Sequence, residues 1–89
     1  SIEAKYEYGL FLRDNARSPS DLTTSAEILR EAAEAGNVNA MTEYGFALAY
    51  GIGAPRDIRE ATTWLERAAL SGNERAASLS SLVRIGAGQ

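Results

Sequence analysis

The 89-residue sequence has no cysteine and no histidine, and only one of its nine basic residues is lysine. Without cysteine there is no disulfide and no thiol nucleophile. Without either residue there is no zinc site of the usual kind, and the commonest general base is missing as well. Lys5 is the only lysine, so a nucleophilic serine would find few side chains to activate it. Positive charge is also scarce: 9 Lys and Arg stand against 12 Asp and Glu, a net charge of −3. This argues against a nucleic-acid backbone or an anionic membrane as the main partner, since both need clustered cations. No apolar run reaches the ~18–20 residues that cross a bilayer. Ser1-Ile2-Glu3 shows no signal-peptide pattern, and position 1 is not Met. The chain is therefore expected to be a piece of a longer protein. No cofactor and no metal is expected.

What is present is a repeat. A shift of 36 residues places Ala4, Glu7, Tyr8, Gly9 and Leu12 on Ala40, Glu43, Tyr44, Gly45 and Leu48. It places Pro19 and Asp21 on Pro55 and Asp57, and Leu29, Ala32, Ala33, Gly36 and Asn37 on Leu65, Ala68, Ala69, Gly72 and Asn73. From Ala4/Ala40 to Ala40/Ala76, 13 of 37 pairs are identical without a gap. A fixed period in this range is the signature of stacked repeats.

The apolar spacing is helical throughout and nowhere alternates as a strand would. It predicts an all-α chain of about five helices, near residues 2–15, 21–35, 38–50, 57–71 and 74–85. Ala4, Tyr8, Leu12 and Phe11 are the expected apolar side of the first helix. Leu82 is expected on the apolar side of the fifth. Gly36, Gly51, Gly72 and Gly86 are the expected helix stops. The two-residue turns Gly36-Asn37 and Gly72-Asn73 make the flanking helices antiparallel neighbours. Asp57 with Glu60 reads as a capping box, and Asp21 as a cap without the reciprocal Glu. Gly9 and Gly45 fall inside helices, where glycine costs roughly 1 kcal/mol relative to alanine. Their recurrence predicts a close approach by a neighbouring helix. Trp64, with Ile28 as its smaller counterpart, is expected to fill space between successive helix pairs.

Ala40, Tyr44-Gly45, Leu48, Gly51-x-Gly53-Ala54, Asp57, Glu60-Ala61, Trp64-Leu65, Arg67-Ala68-Ala69 and Gly72 together resemble a Sel1-like repeat. Such repeats are relatives of the tetratricopeptide repeat. The resemblance spans one degenerate unit (about 4–39), one good unit (about 40–75) and a partial unit or cap (76–89). It departs at Asn15 and Arg17, which replace the two loop glycines, and at Ser80-Ser81, which replace Tyr44-Gly45. Gly86-Ala87-Gly88 resembles the Gly51-x-Gly53 loop at a shift of 35. The resemblance implies an α/α superhelical solenoid that mediates protein–protein interactions. It also gives a lean towards bacterial periplasm or cell envelope.

The chemistry-bearing groups have plain structural readings. The serines read as loop and cap residues. Glu27, Glu31 and Glu34 read as a solvated helix face, and Gly51-x-Gly53 lacks the third glycine and the preceding strand of a dinucleotide loop. Two rows on the odd-numbered helices are not needed by the inner core. One holds Tyr6, Thr42 and Ser78, with Leu10, Phe46 and Leu82 one turn on. The other holds Glu7, Glu43 and Leu79. In folds of the resembled kind these helices line the concave side. The candidate partner-binding residues are therefore Tyr6, Glu7, Leu10, Thr42, Glu43 and Phe46, with Tyr50 at the mouth of the Gly51-x-Gly53 loop as a further exposed aromatic. They suit a peptide with an apolar anchor and a basic residue. The expected function is a non-catalytic interaction scaffold for another protein or peptide. The alternatives are a module for cell-wall glycan or another small ligand, and a structural spacer.

Overall fold

A computed structural model describes residues 1–88. Five helices follow one another: α1 (Ile2–Asp14), α2 (Pro19–Glu34), α3 (Val38–Tyr50), α4 (Ile58–Leu70) and α5 (Glu74–Ala87). No strand occurs among the described residues. Each helix packs on the next, and α3 also touches α5. The architecture is the expected α/α solenoid, with α1–α2 and α3–α4 as stacked hairpins and α5 laid on the end.

The turns explain the antiparallel path. Gly36 takes φ +101° after α2, and Gly72 takes φ +98° after α4. Asn37 N–H reaches back to the Ala32 carbonyl at 3.0 Å, and Asn73 N–H to Ala68 at 3.1 Å. The same asparagines then open the next helix: Asn37 Oδ1 accepts from Ala40 N at 2.7 Å, and Asn73 Oδ1 from Ala76 N at 2.8 Å. One residue thus closes one helix and caps another, which fixes a tight turn.

The helical glycines are seats for leucines. A Cβ on Gly9 would lie 2.9 Å from Leu29 Cδ2, and one on Gly45 would lie 2.8 Å from Leu65 Cγ. Leu29 and Leu65 are essentially without solvent contact. Each second helix therefore docks its central leucine onto the bare backbone of the first, the close approach that the repeated glycines predict. Ser25 Oγ donates to the Gly9 carbonyl at 2.7 Å inside this contact. Alanines at 32, 33, 40, 61, 68 and 76 complete the core around Met41, Tyr44, Leu48 and Val83.

Several expectations are corrected. α2 begins at Pro19, not Asp21: Ser18 is its cap and accepts from Asp21 N, while Asp21 Oδ2 accepts from Arg17 N. Proline suits this first-turn position because its missing N–H has no partner to lose there. Asp57 caps α4, but Glu60 does not reciprocate; its carboxylate accepts from Trp64 Nε1 at 3.2 Å. Asp57 N–H instead donates to the Leu48 carbonyl. Trp64 sets its edge against Tyr44 of its own hairpin, 5.9 Å between centroids, with the Arg67 guanidinium over its ring. Gly86 does not stop α5, which runs to Ala87, and Gly88 has φ −76°, so no Gly51-like loop forms there. Ala4, Tyr8 and Phe11 are exposed and Leu12 is only half-buried. The buried side of α1 is Gly9, with Tyr6 and Leu10 packed on the core. Leu82 is exposed as well.

Candidate partner-binding face

α1, α3 and α5 share one face of the stack. Glu43 is the single charged side chain of the largely buried α3. An ionised carboxylate taken out of water needs a cation and hydrogen bonds. Two arginines supply them: Arg13 Nη1 of α1 lies 2.6 Å from Glu43 Oε1, and Arg75 Nη1 of α5 bonds Glu43 Oε2. Glu43 therefore joins three helices. Arg13 also reaches Asp14 at 3.4 Å. Burial opposes charge on Arg13, but its hydrogen bond to Glu43 prevails and holds its pKa above the usual arginine value. Tyr6 packs beside this cluster, and burial followed by the Glu43 charge raises its pKa.

Around the ion pair lies an apolar row. Leu10 and Phe46 are half-buried and Leu82 is exposed, at one helical register on α1, α3 and α5. The Phe46 ring stands 5.1 Å from that of Tyr50, tilted by 51°. Arg75 places its guanidinium 5.5 Å from the Phe46 centroid while it bonds Glu43. Tyr50 is about half exposed at 54%. Glu3 and Glu7 of α1 are exposed and make no ion pair among the described residues.

The predicted residues thus divide. Tyr6, Leu10, Phe46 and Tyr50 lie on or beside one surface, with Glu7 at its edge. Thr42 does not: it is buried, and its hydroxyl donates to the Val38 carbonyl at 3.1 Å. Glu43 is buried and already paired with two arginines, so its carboxylate is not open to a basic residue of a partner. Arg13, Arg75 and Leu82 complete the surface. The two arginines escaped a search by repeat because they occupy different registers, where the 36-residue shift finds Ala49 and Asn39. The available signal was the lone charged residue on a central helix rich in apolar side chains.

Among the described residues no cluster of acidic, Cys or His side chains could hold a metal ion. No helix is long and apolar enough to cross a membrane.

The Sel1 repeat family model matches twice, over residues 2–37 and 38–73. Among solved structures, the crystal structure of a Sel1 repeat protein from Oxalobacter formigenes is similar, with a TM-score of 0.86 and 34% sequence identity. That match covers 93% of this chain and 24% of the other, so the chain spans about a quarter of that protein's length. No curated protein matches.

Proposed function

The chain belongs to the Sel1 repeat family, whose members are generally non-catalytic protein-interaction modules, and on that premise we propose that it binds a partner segment across the shared face of α1, α3 and α5. The observation that carries this reading is the apolar row Leu10, Phe46 and Leu82, of which the first two are half-buried and the third exposed. Neighbouring helices in such a stack stand roughly 8–10 Å apart. An extended partner segment can therefore touch all three residues with successive apolar side chains. Tyr50, whose ring packs at a tilt against Phe46, widens the anchor site and offers a hydroxyl. Arg13 and Arg75 are occupied by Glu43, so the open charges at the row's edge are Glu3 and Glu7. These favour a partner with an apolar anchor and a Lys or Arg near it. Rim charges of this kind act mainly on encounter rate and salt dependence, while the buried anchor sets lifetime.

Selection of random 12-residue peptides on the immobilised chain tests the reading. Enriched peptides should share an apolar residue next to a basic one. Their affinity should fall roughly tenfold or more, about 1.4 kcal/mol, in a Phe46→Ser/Leu82→Ser variant whose circular dichroism is unchanged. Enriched peptides that bind this variant as well as the parent chain would sink the proposal.

A further inference from the structure

A cleft of about 310 Å³ lies at the junction of the two hairpins. Glu27 and Arg30 line it from α2, Ala54 and Pro55 from the loop after α3, and Tyr44 from α3 itself. The loop wall is fixed in place. Gly53 lies so close to α2 that a Cβ there would fall 2.0 Å from the Leu22 carbonyl oxygen. The volume is at the low end of the ~300–1,000 Å³ that ligand pockets span, so an occupant is small.

Three polar groups of this cleft have no partner on the chain. Tyr44 is only 7% exposed, yet its hydroxyl makes no hydrogen bond among the described residues. That hydroxyl is not sealed from solvent, since no fully buried side-chain oxygen among the described residues is left unpaired. It therefore opens into the cleft that Tyr44 lines. A polar group on so buried a residue ordinarily has a partner. Burial, and after it the Glu60 carboxylate, raises the Tyr44 pKa, so the hydroxyl keeps its proton and can donate. Glu27 and Arg30 are exposed and form no ion pair, with each other or with any other described residue.

These groups narrow the ligand. A simple anion would suit Arg30 and the hydroxyl, but it would meet the Glu27 carboxylate and the fields of Glu34, Glu60 and Asp57 that act on Tyr44. A simple cation would suit Glu27 and leave Arg30 without a counter-charge. A sugar gains from an open aromatic face, and the Tyr44 ring is buried with its neighbour Trp64 edge-on. A small molecule that carries both charges satisfies all three groups. We propose that the cleft is a binding site for a small free α-amino acid with an apolar side chain. Its ammonium group bonds Glu27, its carboxylate takes Arg30 and the Tyr44 hydroxyl, and its side chain lies on Ala54 and Pro55. Bonds of this charged kind are the strong ones. None of these residues belongs to the row of Leu10, Phe46 and Leu82.

Isothermal titration calorimetry of the whole chain with L-alanine, L-valine and L-proline tests the site. At least one should bind with a millimolar or lower Kd. Its N-acetyl and methyl-ester derivatives, each lacking one of the two charges, should bind weaker by roughly tenfold or more. Tyr44→Phe removes only an unpartnered hydroxyl, so it should keep the fold and still weaken binding by roughly tenfold. Glu27→Gln and Arg30→Gln, both at exposed positions, should weaken it as well. Leu70→Ser, outside the cleft and 90% exposed, should leave it unchanged. Absence of binding by all three amino acids up to about 10 mM, tenfold above a millimolar Kd, overturns the proposal. So does equal binding of the N-acetyl derivative, which would make the cleft a plain anion site, or equal binding by the Tyr44→Phe variant.

Discussion

Gly53 and Gly36 both adopt positive φ, at +77° and +101°, yet they matter differently. A Cβ on Gly53 would fall 2.0 Å from the Leu22 carbonyl oxygen, an atom of rigid helical backbone. A Cβ on Gly36 would meet nothing within 4 Å. Gly36→Ala should therefore cost only the left-handed conformation, ~1–2 kcal/mol. Gly53→Ala adds displacement of the 51–56 loop from α2 and should cost about 3 kcal/mol or more. Urea denaturation of the two variants checks the order. The sequence marks both glycines as turn formers, because glycine in a repeat loop is a local signal. It does not show that Gly53 touches the preceding hairpin, since that contact exists only once the hairpins stack.

At the scale of elements, helix existence and most helix ends were legible, because glycine stops and polar caps act within a few residues. Asn37 and Asn73 were legible as turn residues but not in their double role as closers and caps. Ser18 was hidden behind Asp21, which stands where a cap was expected but fills the third helical position. The surface rows were legible in register, since a 36-residue shift fixes which side chains align. Their burial was not, because it depends on which neighbours lie on either side. Glu43 shows this best. Its tie to α1 and α5 predicts that Glu43→Ala, which strands two arginines, costs about 2–3 kcal/mol. That lies below the ~3–5 kcal/mol of a fully buried pair because Arg75 is half exposed. Arg13→Ala should cost more than Arg75→Ala, since the Arg13 side chain is the less exposed, 22% against 49%. Thermal unfolding with double-mutant cycles separates these contributions.

At the scale of the whole molecule, 32 × 25 × 17 Å, position in the stack decides what a residue does. Identical residues serve the core in the middle hairpin and face solvent in the first. This is why a sequence repeat reports the fold faithfully and the working surface only partly. The most direct measurement is the stability of two single variants at equivalent positions, Tyr8→Ala and Tyr44→Ala. Tyr44 is 7% exposed and packs its ring against Trp64, whereas Tyr8 is 54% exposed. Tyr44→Ala should therefore lower unfolding stability by about 3 kcal/mol, and Tyr8→Ala by less than about 0.5 kcal/mol. Equal losses at the two positions would contradict the account.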